Sequence, residues 1–291
     1  MHTKATITKL SHYHSLGHAI DMLRLDLVHP IVSGNKWYKL SSYIKEAQAI
    51  NATHLASFGG PYSNHIVALA YAGKELGFST IGYIRLNETE TLTPSLKDAL
   101  SYGMHLKFLG RVQFQEKKSA LLHEGKSKTY FINEGGYGKL GAIGFASIAK
   151  EIDISSYDYI LAAVGTGTML AGLINLSQAH QEIIGIPVLK NEGSIESEIN
   201  AIVDSQTKSY KLFHQFHQGG YAKTSDEQIK CMNQFWTNTG IATDIVYTGK
   251  LITALDSLLK EKYFQADKKI LLIHSGGLQG NRSVAHGILH F

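Results

Sequence analysis

A repeated alternation of two kinds of segment constrains the fold of this 291-residue chain more than any other feature. Short apolar runs, typical of buried β-strands, alternate with longer segments whose apolar residues recur at helical spacing. The predicted strands cover residues 54–58, 80–84, 105–109, 130–132, 159–164, 183–186, 245–247 and 270–273. The predicted helices cover residues 38–50, 66–76, 93–102, 144–152, 169–180, 226–237 and 249–260. Such alternation predicts an α/β fold with mostly parallel sheet and helices on its faces.

The length of the chain and the absence of linkers favour two lobes that share a cleft. A chain of 291 residues can bury a large core. Only four prolines and no Gly/Ser-rich or charged linker are present, which argues against a string of independent domains. We predict a large lobe from residues 1–47 and 145–291, with a small lobe of residues 48–144 inserted into it. Residues 190–218 are the least regular region and are predicted to form a loop over the site.

Charge and cysteine content narrow the classes of partner and location. The basic residues are scattered, and the densest basic segment, residues 116–128, is interrupted by Glu124 and apolar residues. This segment is typical of a solvated helix face, so we expect no nucleic-acid partner. Cys231 is the only cysteine, which permits no intramolecular disulfide. The first residues lack an apolar signal core and no run is long enough to span a bilayer, so we expect a cytoplasmic location and no membrane partner.

Histidine is abundant, at 15 residues, but its spacing does not indicate a metal site. His12 and His14, and likewise His214 and His217, are spaced closely enough to share a metal. No carboxylate or cysteine completes either pair at a recognisable spacing, so we expect no bound metal. Cys231 lies on a predicted helix with apolar neighbours and is interpreted as a core residue rather than a nucleophile.

One glycine loop lies where a strand is predicted to pass into a helix. Gly165, Thr166, Gly167 and Thr168 follow an apolar run and precede helical spacing. Backbone N–H groups and the positive helix end at such a place favour a phosphate, and the hydroxyls can add donors. A plain strand-to-helix turn is the alternative. The loop lacks both the lysine of a nucleotide P-loop and the spacing of a dinucleotide site.

Two further glycine pairs follow apolar runs. Gly59 and Gly60 precede Ser63 and Asn64, which are predicted either to cap the next helix or to help bind a carboxylate. Ser275 precedes another glycine pair at the carboxyl end of a predicted strand, where α/β sheets bind ligands.

Lys36 follows a Gly-Asn pair at a predicted turn into a helix. A lone lysine in such a place is ordinarily a surface residue. The three glycine-rich loops, which look able to receive a bound group, change that interpretation. We therefore predict that Lys36 carries a cofactor.

Taken in order, six motifs resemble the D-cysteine desulfhydrase and 1-aminocyclopropane-1-carboxylate (ACC) deaminase family of pyridoxal-phosphate enzymes. That family has the two-lobed, tryptophan-synthase-β-like fold known as fold type II. The resemblance covers nearly the whole chain, and six ordered matches are more specific than any one of them. The matching motifs are Gly34-Asn35-Lys36, Gly59-Gly60 with Ser63-Asn64, Glu134-Gly135-Gly136 with Leu140-Gly141, the Gly165 loop, Val246-Tyr247-Thr248-Gly249-Lys250 and His274-Ser275-Gly276-Gly277.

The resemblance implies a role for each site residue. Lys36 would bind pyridoxal 5'-phosphate as a Schiff base and transfer the α-proton of the substrate. The family pattern, rather than the spacing, selects Lys36 over Lys39. Asn64 would lie beside the ring hydroxyl, and either Thr248 or Ser275 would contact the pyridine nitrogen. Gly165, Thr166, Gly167 and Thr168 would bind the phosphate. Ser63 and the amides of Asn64 and His65 would bind the substrate carboxylate, and Tyr247 would be a proton donor or positioning group.

The resemblance also bears on the substrate. Relatives that look like true ACC deaminases have a glutamate and a leucine where this chain has Thr248 and Ser275. A neutral hydroxyl at the ring nitrogen implies a weaker electron sink, which is adequate for β-elimination from a D-amino acid. D-cysteine would give pyruvate, sulfide and ammonia. ACC deaminase is the alternative within the family, and a non-catalytic protein that binds pyridoxal phosphate or a small acid is the alternative from another class. A homodimer is a family expectation.

Overall fold

The computed structural model describes residues 3–87, 91–121, 128–190, 193–204 and 210–291. These residues form two separate β-sheets with helices packed on both faces of each. Nine strands pair in parallel and only the first strand pairs antiparallel, so the predicted α/β class with mostly parallel sheet is confirmed. Within the described ranges, no helix is long and apolar enough to cross a membrane.

The larger sheet has six strands and joins the two ends of the chain. Its strands lie in the order β1-β2-β10-β7-β8-β9. They are β1 Thr6–Lys9, β2 Ile20–Arg24, β7 Tyr159–Val164, β8 Glu182–Pro187, β9 Tyr210–Leu212 and β10 Ile270–His274. Because β10 lies between β2 and β7, the last strand brings its following loop next to the first part of the chain.

The smaller sheet has four parallel strands in the order β5-β4-β3-β6. They are β3 His54–Gly59, β4 Ser79–Arg85, β5 His105–Leu109 and β6 Thr129–Ile132. All four strands lie within residues 48–144, the predicted small lobe. The exact boundaries of the two lobes stay a prediction.

Ten helices in the described chain cover these sheets. They are α1 Ser11–Ser15, α2 Asn35–Ala49, α3 Asn64–Leu76, α4 Pro94–Ser101, α5 Arg111–Leu121, α6 Lys139–Ala146, α7 Thr168–Leu176, α8 Ser194–Asn200, α9 Asp226–Thr239 and α10 Thr248–Lys260. Helix α2 lies between the sheets, because Tyr38 packs in the core of the larger one while Leu40 and Tyr43 pack in that of the smaller one. The helix that bears Lys36 is therefore anchored in both cores.

Seven of the eight predicted strands are confirmed, and residues 245–247 are not a strand. These apolar residues form a turn because side chains, rather than a neighbouring strand, bind their backbone groups. The amide of Ile245 donates to Asn281 Oδ1 at 3.0 Å, and the amide of Val246 donates to Asp244 Oδ2 at 2.9 Å. A buried apolar run therefore does not distinguish a strand from a tightly bound turn.

Other differences concern helix bounds and short elements. The helix predicted at 144–152 begins earlier, at Lys139, and gives way to a 3₁₀ turn at Ser147–Lys150. Residues 190–218 were predicted to form a loop, but α8 and β9 lie within this range, so the prediction is wrong for the described residues. Residues 191–192 and 205–209 of the range lie outside the described part. The predicted helix face at 116–128 is confirmed up to Leu121, the end of α5, and residues 122–127 lie outside the described part.

Candidate active site

The start of α2 contacts the loop that follows β10. Asn35 donates its backbone N–H to the carbonyl oxygen of Ser275 at 3.0 Å. Gly34, just before the helix, has φ +68°, and a Cβ built on it would lie 1.7 Å from the same oxygen. Only glycine permits this approach, which places Lys36 beside the Ser275 loop.

Replacing Gly34 by alanine is expected to lower the free energy of unfolding by about 3 kcal/mol, because backbone strain and a steric clash add together. Gly17 is a matched control, since its φ is +85° but a Cβ built there meets no atom within 4 Å. Gly17→Ala should cost about 1 kcal/mol from backbone strain alone. Urea denaturation of both variants measures the difference, and equal costs would show that the Gly34 contact is not tight.

The start of α3 meets the same loop. Ser63 Oγ accepts a hydrogen bond from the amide of Ile66 at 3.3 Å, so Ser63 caps the helix, one of the two outcomes predicted for this pair. Asn64 Nδ2 donates to the carbonyl oxygen of Gly277 at 3.1 Å. The other amide atom, Asn64 Oδ1, is buried and has no hydrogen-bond partner within the described chain. Asn64 therefore joins α3 to the Ser275 loop and keeps an acceptor available.

The Gly165 loop lies between β7 and α7, as predicted. The hydroxyls of Thr166 and Thr168 lie 3.1 Å apart, and Gly167 has a left-handed φ of +76°. A Cβ built on Gly135 would lie 2.9 Å from Thr166 Cγ2, so the loop after β6 packs closely on the Gly165 loop. This contact joins a loop of the smaller sheet to a loop of the larger sheet, next to the hydroxyls of Thr166 and Thr168 and the N-terminus of α7.

Two buried amines lie near this contact. Lys36 Nζ donates to Asn35 Oδ1 at 3.1 Å, and Lys39 Nζ donates to the carbonyl oxygen of Gly135 at 2.8 Å. Burial lowers the pKa of Lys36 to about 8. Burial and the charge of Lys36 lower the pKa of Lys39 well below its ordinary value. Since Gly135 packs on Thr166, the amine of Lys39 lies close to the Gly165 loop and places a hydrogen-bond donor there.

His65 is a neutral acceptor in this region. Ser57 Oγ donates its single proton to the carbonyl oxygen of Ile132 at 2.8 Å, so its 2.9 Å contact with His65 Nε2 requires the imidazole to donate. Nδ1 then carries no proton, and it has no hydrogen-bond partner among the residues described. Burial and the two nearby lysine charges lower the pKa of His65 well below its ordinary value. The imidazole of His65 therefore stays neutral, with Nδ1 free to accept.

Tyr247 lies against the Gly165 loop and pairs with a second tyrosine. A Cβ built on Gly165 would lie 3.2 Å from Tyr247 Cε1. The ring of Tyr221 lies edge-on to that of Tyr247, with centroids 6.3 Å apart. Burial and the neighbouring Tyr221 raise the pKa of Tyr247 well above its ordinary value, so its hydroxyl stays protonated. No sequence pattern singled out Tyr221, which lies in an irregular loop.

The hydroxyl of Thr248 is already engaged at the start of α10. It donates to Asp244 Oδ1 at 2.7 Å and accepts from the amide of Asp244 at 2.7 Å. Asp244, fully buried, also accepts from the amides of Val246, Tyr247 and Thr248. Asp244 therefore binds the backbone of the turn that leads into α10, although it is not the N-cap residue, which is Tyr247. The predicted contact of Thr248 with a ring nitrogen is therefore disfavoured, because its only proton is committed.

The structure thus gathers most of the predicted site residues at one place. Lys36, Asn64 and Ser275 are joined through their loops, and Tyr247 and Thr166 flank Gly165. Three of the four histidines considered for a metal bind elsewhere: His12 to Asn238, His14 to Asp21 and His214 to Glu196. Within the described ranges, no three histidine, cysteine or acidic side chains gather where they could hold a metal ion.

The fold and the site define a pyridoxal-phosphate enzyme. A family model described as "Pyridoxal-phosphate dependent enzyme" matches residues 4–276, and the chain belongs to that family. Within it, the chain is similar to a provisionally named ACC deaminase of Thermotoga maritima, at 27% identity over 91% of this chain and 90% of the relative. It is also similar to the mitochondrial bifunctional D-cysteine desulfhydrase/ACC deaminase of Arabidopsis thaliana, at 26% identity over 86% of this chain and 70% of the relative.

A solved structure supports the fold. The crystal structure of an ACC deaminase homologue matches with a TM-score of 0.80 at 24% identity, over 96% of this chain and 91% of that chain. Membership of the pyridoxal-phosphate dependent enzyme family confirms the predicted cofactor and the prediction of a pyridoxal-phosphate enzyme, and the solved structure supports the predicted fold.

The residues present fit pyridoxal phosphate. A buried amine at Lys36 can bind the aldehyde, and the unpaired Asn64 Oδ1 offers an acceptor for the ring hydroxyl. The hydroxyls of Thr166 and Thr168, the N-terminus of α7 and the amine of Lys39 form a suitable site for the phosphate. The sequence analysis considered Lys39 only as an alternative to Lys36, whereas the structure places its amine on the carbonyl oxygen of Gly135.

Uptake of pyridoxal phosphate by the apo-protein is expected to depend on pH through Lys36. The neutral amine is the reactive form, so uptake should rise with pH through a pKa of about 8 and level off above it. An unperturbed lysine would instead titrate at its ordinary value of 10.5. Absorbance of the bound cofactor after rapid mixing measures the rate, and a rate that keeps rising up to that higher value would contradict the buried state of Lys36.

Proposed function

We propose that this protein catalyses pyridoxal-phosphate-dependent α,β-elimination from a D-amino acid with a leaving group on its β-carbon. D-cysteine and water would give pyruvate, ammonia and hydrogen sulfide. Membership of the cofactor's family supports the cofactor, and the similarity to a bifunctional D-cysteine desulfhydrase/ACC deaminase supports the substrate class.

The observation that carries the proposal is that, among the described residues, the carboxylates beside His274 and Thr248 already have partners. Asp26, whose carboxylate lies 3.5 Å from His274 Nδ1, pairs with Arg24. Asp244, the buried carboxylate next to Thr248, is committed to three backbone amides and one hydroxyl. Thr248 commits its proton to the same carboxylate, which leaves the hydroxyl of Ser275 as our candidate for the pyridine nitrogen. A neutral partner does not keep that nitrogen protonated, and elimination of a good leaving group needs less electron withdrawal than opening a cyclopropane.

Each residue of the site has a part in this reaction. When bound, pyridoxal phosphate withdraws electrons from the α-carbon of the amino acid. Lys36, whose lowered pKa makes its neutral amine accessible near neutral pH, takes the α-proton. Ser63 and the first amides of α3 bind the substrate carboxylate at the positive helix end. Tyr247 stays protonated and can therefore donate a proton to the departing thiolate, but cannot act as the base.

ACC deamination to 2-oxobutanoate and ammonia is the second candidate. The name of the Thermotoga maritima relative favours it, and that relative is matched over 90% of its length. The two candidates share the cofactor and Lys36, so substrates rather than cofactor binding must distinguish them.

The test is a product assay on the purified holoenzyme with D-cysteine, L-cysteine and ACC. We expect sulfide and pyruvate in equal amounts from D-cysteine and much less from L-cysteine. The Lys36→Ala variant with added pyridoxal phosphate is the control for reactions of the free cofactor. If the cofactor is bound but D-cysteine yields neither product, the desulfhydrase proposal fails, and 2-oxobutanoate from ACC would then establish the second candidate.

A further inference from the structure

Lys250 is a fully buried lysine in the first turn of α10. An ammonium group at this position is doubly unfavourable, because it is removed from water and lies at the positive end of a helix. Burial lowers the pKa of Lys250 to about 8, although the charge of Asp244 opposes that shift. None of the chemistry proposed above uses this side chain.

The amine of Lys250 binds two backbone carbonyls from separate parts of the chain. Nζ donates to the carbonyl oxygen of Gly220 at 2.6 Å and to that of Val188 at 3.2 Å. Val188 follows β8 directly, and Gly220 belongs to the loop of residues 217–224 between β9 and α9. Lys250 therefore ties this loop to the carboxyl edge of the larger sheet.

The loop of residues 217–224 is irregular and needs such a tie. Gln218, Gly219, Gly220 and Ala222 all have positive φ values, which is unusual for the two that are not glycine. Its next residue after Gly220 is Tyr221, an exposed tyrosine whose ring meets that of Tyr247. The position of the Gly220 carbonyl therefore determines where Tyr221 lies.

The start of α10 holds both tyrosines through two buried charges. The carboxylate of Asp244 accepts from the amide of Tyr247 at 2.9 Å. The ammonium of Lys250 donates to the carbonyl one residue before Tyr221. Asp244, just before α10, thus holds the backbone of Tyr247, and Lys250, in the first turn of α10, holds the backbone next to Tyr221.

We propose that Lys250 is a positioning residue that holds Tyr221 against Tyr247 at the mouth of the site. Its effect on turnover rests on the proposed function, whereas the placement of the loop does not. Lys250→Met removes both hydrogen bonds while keeping most of the side-chain volume. Lys260→Met, at the exposed end of the same helix, is the matched control.

Hydrogen exchange of the holoenzyme tests the placement without any substrate. In Lys250→Met, amides in residues 217–224 are expected to exchange about tenfold faster, while β3 and β10 keep their protection. Unchanged exchange in this loop would overturn the proposal, and so would a uniform rise in both sheets, because Lys250 would then support general stability. If Lys250→Met does not fold, Lys250→Leu, which likewise has no hydrogen-bond donor, is measured against the same criteria.

Kinetics test whether Lys250 acts through Tyr221. With D-cysteine, Lys250→Met is expected to lower kcat by about 10²-fold, with a much smaller change in KM. In a Tyr221→Ala background the same substitution should cost less than about threefold. Equal costs in both backgrounds would overturn the proposed route. If the wild-type enzyme does not act on D-cysteine, the substrate proposal fails while the exchange result still decides the role of Lys250.

Discussion

Replacing Lys36 by alanine is expected to lower turnover by at least about 10⁴-fold, because in the proposed reaction this one side chain provides both cofactor attachment and proton transfer. The variant should still fold, since Lys36 belongs to neither hydrophobic core and the anchoring residues Tyr38, Leu40 and Tyr43 are unchanged. The absorbance of the bound cofactor should be lost together with activity.

Lys45→Ala is the matched control, because Lys45 lies on the same helix and is exposed. It should retain wild-type activity and cofactor absorbance. Substantial activity in Lys36→Ala, with Lys45→Ala normal, would contradict the role of Lys36 and would direct attention to Lys39, the other buried amine of the site.

Asp244→Ala is expected to have the largest effect on stability, lowering the free energy of unfolding by about 3–5 kcal/mol. The substitution leaves three buried amides and the hydroxyl of Thr248 without their acceptor. It also releases the turn that carries Tyr247, so activity should fall even in the fraction of molecules that remains folded. Chemical denaturation and single-turnover assays measure the two effects.

Asp226→Ala provides the comparison, since Asp226 is an exposed aspartate in the first turn of α9. Its loss should cost about 0.5 kcal/mol, the magnitude of a charge at a helix end in water. A similar small cost for Asp244→Ala would show that the hydrogen bonds of Asp244 contribute little to the folded state.

The strands and helices that surround the site could be predicted from sequence because their apolar spacing is local. The strand predicted at 245–247 is wrong because a local apolar pattern does not show which groups bind the backbone. Its apolar residues are buried as expected, but Asp244 and Asn281, which bind their backbone, lie outside the window that such a pattern covers. The sequence analysis did not predict the short strands β1, β2 and β9, because none of them contains a long apolar run.

The site itself was predicted in part. Lys36, Asn64, Ser275 and the Gly165 loop came from motifs, and the structure brings them together. Tyr221 could not be predicted, because its contact with Tyr247 depends on an irregular loop bound through Lys250. The choice between Thr248 and Ser275 likewise depended on a hydrogen bond to Asp244 that no motif encodes.

Borohydride reduction of the holoenzyme, followed by peptide mapping, tests the central claim most directly. Reduction makes the bond between the cofactor and its lysine permanent, so the modified residue can be identified by mass spectrometry. We predict one pyridoxyl group per chain, on Lys36. Modification at Lys39 or another lysine, or no modification of a protein incubated with pyridoxal phosphate, would contradict the assignment.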